Sequence, residues 1–217
     1  MLSKGSRREV HRVPELGNDI VVKVQDPGKE AARLSEIKRL ARRLAPQSQY
    51  RMIHSEARHQ MAIFLAHGTQ ARLPLPMFRG LALTNRGPAA LWEAKLAPDG
   101  GLAPTLRTLD TDPTPRVTQA LNTLAKGLFD FRIVVSDVNP HNIVVEDLDG
   151  TMWLTIIDGF GDPNLIAMKS MVRAVGDRRR HRAMQNLAKH MRLGWDTDRR
   201  RFVPRSEAAL ARGTPHP

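Results

Sequence analysis

The sequence predicts an α+β protein built from two small lobes, and three observations support this prediction. The first part of the chain alternates short extended segments with helical ones. Residues 98–115, rich in Pro, Gly, Thr and Asp, then separate it from a second part that combines helices with a hairpin. An apolar share of 41% over 217 residues is enough for a hydrophobic core. We therefore expect a β-rich N-terminal lobe over residues 1–97, a linker over residues 98–115 and a C-terminal lobe over residues 116–217.

The N-terminal lobe is predicted to contain two hairpins and two helices. Extended runs at residues 9–13 and 19–24 flank a turn-forming segment, which predicts the first hairpin. Apolar residues then recur at helical spacing over residues 30–44 and 51–66, which predicts two helices. Residues 75–96 predict a second hairpin. Together the two hairpins would form a small antiparallel sheet.

The C-terminal lobe is predicted to begin with a helix over residues 117–130, where leucines and a valine share one face. Residues 142–157 predict a hairpin, with Asp149 and Gly150 in its turn. A last helix is expected over residues 177–193, as the centre of a basic helical tail. This lobe therefore combines a loop and hairpin with helices on either side.

Charge is concentrated at the C-terminal end. The net charge is +12, and residues 169–217 carry 13 Lys or Arg against 4 Asp or Glu, a balance of +9. An excess of positive charge favours phosphate-bearing partners, such as a nucleotide, a nucleic acid or an anionic membrane surface. The alternative is that these residues form a solvated helix face, which would have the same composition. The chain contains no cysteine, which excludes a disulfide framework, a thiolate metal site and a thiol nucleophile.

The first residues include no apolar segment typical of a signal peptide. No run of residues approaches the roughly 18 apolar positions that a membrane-spanning helix requires. We therefore expect a soluble, cytoplasmic protein.

Two motifs indicate a chemistry. Asp137 is followed by Asn142 five residues later, and across the predicted hairpin Asp158 begins an Asp-Gly-Phe-Gly turn. Phosphoryl transfer needs a carboxylate near the attacking hydroxyl and metal ligands around the phosphates, and kinase-type enzymes present these groups in this order. We predict Asp137 as catalytic base or water-positioning residue, and Asn142 and Asp158 as Mg²⁺ ligands. The fold would then be a minimal two-lobed protein-kinase-like fold that binds ATP and Mg²⁺.

The N-terminal lobe offers the cations and anions that complete such a cleft. Lys23 lies in an apolar strand, where a kinase lysine would reach the α- and β-phosphates, and Glu56 on the second helix is its predicted partner. Glu36 on the first helix is the competing partner. The alternative is that Lys23 lies on an edge strand and points into water.

The whole chain resembles the YrbL family of PhoP regulatory network proteins, whose fold is kinase-like. The segments that carry the resemblance are residues 20–24, the helix around Glu56, residues 137–143, and residues 157–166 leading into the basic tail. The resemblance implies that Lys23, Glu56, Asn142 and Asp158 occupy the nucleotide-binding positions.

Several residues depart from the pattern of active protein kinases. Residues 5–10 keep a single glycine, Val135 and Ser136 stand where His and Arg usually precede the loop aspartate, and an extra glycine separates Asp158 from Phe160. Only 59 residues follow Asp158, which leaves no room for the helical platform on which protein substrates dock. A non-protein acceptor is therefore expected.

Three functions follow from these observations. The first is ATP and Mg²⁺ binding with phosphate transfer to an unknown, non-protein acceptor. The second is a catalytically inactive, pseudokinase-like regulatory module whose basic tail binds a partner. The third is nucleic-acid binding through the arginines of residues 178–182 and 199–205.

Overall fold

A computed structural model describes residues 3–4, 8–25, 51–109, 113–161 and 173–207. This part of the chain combines antiparallel sheets with α-helices, which confirms the predicted α+β class. The predicted helix over residues 30–44, and with it Glu36, lies outside the described residues, as does Gly5.

Five strands form the N-terminal sheet, in the order β1-β2-β3-β5-β4, with every neighbouring pair antiparallel. The strands are β1 (Ser3–Lys4), β2 (Arg8–Arg12), β3 (Ile20–Gln25), β4 (Phe78–Thr84) and β5 (Gly87–Glu93). Helix α1 (Arg51–His67) lies between β3 and β4 in the chain. Both predicted hairpins are confirmed, and β3 pairs with β5 to join them into one sheet.

The second half begins with α2 (Pro115–Asp130), which is capped by the Thr114 side chain. A 3₁₀ turn (Pro140–Asn142) leads into a hairpin of β6 (Ile143–Leu148) and β7 (Thr151–Ile156). Helix α3 (Arg173–His190) follows. A last hairpin consists of β8 (Gly194–Asp196) and β9 (Arg201–Val203).

The last hairpin corrects the prediction of a helical tail. Residues 194–203 fold as two antiparallel strands, and α3 ends at His190, before the predicted end at residue 193. Trp195 and Phe202 are only 5% and 2% exposed and belong to the main core. Their apolar rings outweigh the charged residues between them, because burying large aromatic side chains stabilises the fold strongly. The described part of the basic segment therefore packs onto the rest of the molecule.

One continuous apolar cluster includes residues of α1, β5, α2, the β6–β7 hairpin, α3 and β8–β9. Helix α2 contributes Leu121, Leu124 and Leu128, all fully buried, as its spacing predicts. The predicted linker also packs, because Ala103 and Leu106 are buried. The N-terminal sheet and the second half thus share a core, while the kinase-like division into two lobes stays a prediction.

None of the helices in the described ranges is both long and apolar enough to cross a membrane.

Candidate functional site

Lys23 lies in the interior of the molecule. Its strand β3 is flanked by β2 and β5, so it is not at the edge of the sheet, and the residue is only 5% exposed. The Lys23 Nζ atom donates a hydrogen bond of 2.5 Å to the carbonyl oxygen of Ile157 and lies 5.3 Å from the ring centroid of Trp92. The alternative in which Lys23 points into water is therefore wrong. The side chain reaches the residue next to Asp158.

Asp137 follows α2 in an exposed loop, and this loop fixes the direction of its carboxylate. Asn139 Nδ2 donates to Asp137 Oδ1 at 2.9 Å. Asn139 Oδ1 accepts from the backbone N–H groups of His141 and Asn142, at 3.0 and 3.2 Å, and so caps the 3₁₀ turn. One asparagine therefore holds both the turn and the Asp137 carboxylate.

The Asn142 side chain lies beside Asp137 in the same loop. Its Nδ2 atom is 3.3 Å from the carbonyl oxygen of Asp137 and 3.4 Å from Asp137 Oδ2. Because the amide nitrogen is directed to Asp137, the amide oxygen is the atom that remains for a metal ion. The Ile157 N–H donates to the Asn142 carbonyl at 2.8 Å, which ties the loop to the strand that precedes Asp158.

Gly159 holds the Asp158 turn against the Asp137 loop. Its φ is +79°, and a Cβ atom there would lie 2.6 Å from the Asp137 carbonyl oxygen, so a glycine is required. The Gly159 carbonyl accepts from the Ser136 N–H at 2.8 Å. The extra glycine between Asp158 and Phe160 therefore has a structural role: it permits close contact of the two loops.

Phe160 and Gly161 connect the same turn to the N-terminal half. Phe160 is 4% exposed and packs edge-to-face on Trp92, with ring centroids 5.4 Å apart. Gly161 abuts α1 at Glu56, which is 2% exposed. The structure thus places Lys23 and Glu56 beside the same five-residue segment, 157–161, that contacts the Asp137 loop.

The donor atoms of Asn142 and Asp158 fit Mg²⁺, because an amide oxygen and a carboxylate are hard oxygen ligands. Asp158 Oδ1 accepts from the Gly159 N–H at 2.7 Å, which orients the carboxylate. Across the described ranges no group of three or more His, Asp or Glu side chains could hold a metal ion. An ion held by these two residues would need further oxygen ligands, because Mg²⁺ has octahedral coordination.

A cleft of about 570 Å³ opens beside Asp137. Residues 134–139 form one wall and one face of α3 forms the other, with Arg179, Arg182, Asn186 and Lys189. Arg179 and Arg182 belong to the arginines predicted from sequence to contact nucleic acid, and none of the three cations was predicted to lie beside Asp137. Their recurrence at helical spacing is the signal that would have placed them on one face.

Other arginines of the basic segment are already engaged. Arg180 is 3% exposed, bonds to Asp177 at 2.6 Å and donates to the Ile133 carbonyl. Arg201 pairs with Glu207 at 3.0 Å. The nucleic-acid alternative therefore loses Arg180 as a contact residue, because its guanidinium lies in the interior.

His181 lies next to the aromatic core of the last hairpin. The Trp195 Nε1–H donates to His181 Nδ1 at 3.1 Å. Burial lowers the pKa of His181 below 6.5, and the nearby positive charge of Arg200 lowers this pKa further. Nδ1 can accept this bond only when it carries no proton, and the lowered pKa favours that neutral form.

Comparison with known proteins places this chain in a family. The model of a family described as "PhoP regulatory network protein YrbL" matches residues 1–192. No curated protein matches the chain. The family match spans Lys23, Glu56, the Asp137 loop, the Asp158 turn and α3, and it leaves out residues 193–217, which include the last hairpin. With most of its length matched, this chain belongs to the YrbL family, the PhoP regulatory network proteins.

Proposed function

We propose that this protein binds ATP with Mg²⁺ beside residues 157–161 and transfers the γ-phosphoryl group to a small, non-protein acceptor. One observation carries the proposal: Lys23 and Asp137 reach this segment, which contains Asp158, from different parts of the chain. Lys23 contacts Ile157, and Asp137 contacts Gly159. A cation, a base and a metal ligand in one place are what phosphoryl transfer requires.

The order of the elements supports the same proposal. Lys23 is on the third strand, and Glu56 is on the described helix that follows it, which are the positions of the lysine and glutamate in protein kinases. In this role Lys23 would bind the α- and β-phosphates. Glu56, buried beside the same turn, would hold the lysine in position.

The reaction assigns a role to each remaining residue. The acceptor hydroxyl oxygen forms a bond to the γ-phosphorus as the bond from that phosphorus to the β,γ-bridging oxygen breaks, and ADP leaves with the electron pair. Asp137 accepts the hydroxyl proton. Asn142 and Asp158 would hold Mg²⁺, which supplies positive charge to the phosphate oxygens.

An inactive regulatory module is the second candidate, and one observation favours it. Both carboxylate oxygens of Asp137 accept hydrogen bonds from amides of its own loop, those of Asn139 and Asn142. These bonds occupy lone pairs on both oxygens that a catalytic base would direct to the acceptor hydroxyl. In this alternative the cleft binds a nucleotide, or none, and the basic surface binds a partner.

Calorimetry with ATP, with and without Mg²⁺, tests the proposal. We expect binding that requires Mg²⁺ and that Asp158→Ala weakens at least tenfold, because the variant loses a charged metal ligand. Asp130→Ala, which removes an exposed carboxylate at the end of α2, is the control and should bind as the parent does. If Asp158→Ala bound ATP as tightly as the parent does, or if the parent did not bind ATP, the proposed nucleotide site would be rejected.

A further inference from the structure

We infer that the cleft between the Asp137 loop and α3 binds an anionic acceptor: a small hydroxyl compound that carries a phosphate or carboxylate group. The inference rests on the proposed phosphotransfer function and specifies its substrate class. It starts from the position of the cleft, because Asp137 and Asn139 line it together with the cationic face of α3. An acceptor in this cleft would lie beside the catalytic carboxylate.

The cationic wall is built by helical periodicity. Arg179, Arg182 and Lys189 line the cleft at positions i, i+3 and i+10, with Asn186 at i+7 between them. Residues at these intervals lie on one face of a helix. At the centre of this face Ala183 has a small side chain, so the long cations surround open space. This face of α3 therefore presents three cations around the small side chain of Ala183.

These cations have no acidic partners in the described part of the chain. No ion pair joins Arg179, Arg182 or Lys189 to a described carboxylate, whereas the neighbouring Arg180 is paired with Asp177. Asp137 is the one carboxylate that lines the cleft within the described ranges. A concave surface with an excess of one charge concentrates ligands of the opposite charge. The excess of positive charge in this cleft therefore favours binding of an anion.

The size and lining favour a small molecule over a nucleic-acid strand. A volume of about 570 Å³ is in the range of small-molecule sites. The described lining has no Phe, Tyr or Trp on which nucleic-acid bases could stack. Asn186 offers an amide group for a hydroxyl. The cations would bind the anionic group, and the hydroxyl would face Asp137.

The transfer step follows the reaction given above. The acceptor hydroxyl forms the new P–O bond, its proton passes to Asp137, and ADP leaves with the electrons of the broken P–O bond. The anionic group of the acceptor takes no part in bond making. It supplies binding energy and orientation, which accelerate the reaction by holding the nucleophile in place.

The experiment compares matched acceptors in an assay of ATP-dependent ADP release. Each pair contains a hydroxyl compound and its anionic derivative: glycerol and glycerol phosphate, ribose and ribose phosphate, and ethylene glycol and glycolate. We expect at least one anionic member to have a kcat/KM about tenfold or more above that of its neutral partner. The triple variant Arg179→Gln, Arg182→Gln, Lys189→Gln should lose this preference and keep its affinity for ATP and Mg²⁺.

The control carries the same loss of charge away from the cleft lining: Arg58→Gln, Lys126→Gln, Arg178→Gln, all at exposed positions. It should keep the preference. Equal rates for neutral and anionic acceptors, or an equal loss in both triple variants, would overturn the inference while ATP binding upholds the proposed function.

Failure of ATP binding would instead reject the proposed function. Direct calorimetry of the same phosphate compounds then decides the inference. Binding that only the cleft variant loses would retain an anion site without transfer, and no binding would reject that site as well.

Discussion

Gly161 lies against Glu56, so closely that a Cβ atom at position 161 would be 3.2 Å from the Glu56 Cα and backbone nitrogen. The contact is between backbones, so neither partner can move aside by rotating a side chain. Gly161 also has a φ of +85°, which L-residues rarely adopt. The end of the Asp158 turn is thus fitted directly onto α1.

Substitution of Gly161 by alanine should destabilise the protein, because the Cβ atom would crowd the Glu56 backbone and because the positive φ is unfavourable for alanine. We expect a loss of about 2–3 kcal/mol in the free energy of unfolding, measured with urea. Gly150→Ala is the matched control, because Gly150 has a φ of +79° and no atom within 4 Å of a built Cβ. The control should lose only about 1–2 kcal/mol. Equal losses in the two variants would show that the contact with α1 has no energetic weight.

Replacement of Lys23 by methionine should weaken ATP binding about tenfold or more, because the positive charge assigned to the phosphates is lost. The protein should remain folded, since methionine fills a similar volume and its sulfur packs well on Trp92 and Phe160. Lys126→Met, at an exposed position on α2, is the control. Calorimetry with ATP and Mg²⁺ provides the measurement. Unchanged affinity would remove Lys23 from the proposed site.

Asp137→Asn should lower the kcat of phosphate transfer about 100-fold or more, because the amide cannot accept the hydroxyl proton. Affinity for ATP should stay within about threefold, since Asp137 is not among the assigned metal ligands. Initial rates of ADP release and calorimetry separate the two quantities. If turnover is the same as in the parent, Asp137 is not the base; if the parent shows no turnover with any acceptor, the inactive regulatory module is favoured.

The stability of the protein should fall as the pH drops below about 6.5, because of His181. Its pKa is lowered in the folded state, so below pH 6.5 the unfolded chain binds more protons than the folded one, and the stabilisation is lost as the pH falls toward the lowered pKa. Protonation at Nδ1 would also remove the bond from Trp195. Urea unfolding from pH 7.5 to 5.5 should show a smaller decline in His181→Asn, which has no titrating ring. An identical decline would assign the pH dependence to other groups.

Local sequence patterns predicted most of the described elements. Both N-terminal hairpins, α2 and the β6–β7 hairpin depend on residues close in the chain, and Asp149 and Gly150 form the predicted turn. The last hairpin could not be predicted in this way, because five of the six residues between Trp195 and Phe202 are charged and conceal the signal of two buried rings. Burial of these rings depends in part on α2, which is distant in sequence and contacts Phe202 through Asn122.

In the candidate site, too, some features follow from local sequence and others from the packing of separate elements. Asp137, Asn142 and Asp158 could be assigned from short motifs, since their order and spacing carry the chemistry. The contact of Gly161 with Glu56 and the facing of α3 toward the Asp137 loop depend on how separate elements pack, so single motifs did not reveal them.

Phe202→Ala should be among the most destabilising single substitutions, at about 3–5 kcal/mol, because Phe202 is 2% exposed and packs edge-to-face on Trp195. Leu83→Ala is the control, because Leu83 is 89% exposed, and it should change stability by less than about 0.5 kcal/mol. Both values come from urea unfolding. A small effect of Phe202→Ala would show that the last hairpin adds little to the core.

The last hairpin also affects the order in which the protein can fold during synthesis, because it packs on α2 but is translated after it. Asn122 of α2 bonds to both backbone groups of Phe202, with the Phe202 N–H at 2.6 Å from Asn122 Oδ1. Helix α2 leads into the Asp137 loop, so the helix that carries this loop is completed by a segment translated some 60 residues after it. A nascent chain that already displays Asp137 and Asp158 would still lack this support. Ribosome-bound intermediates should therefore expose apolar surface on α2 until residues 194–203 leave the exit tunnel.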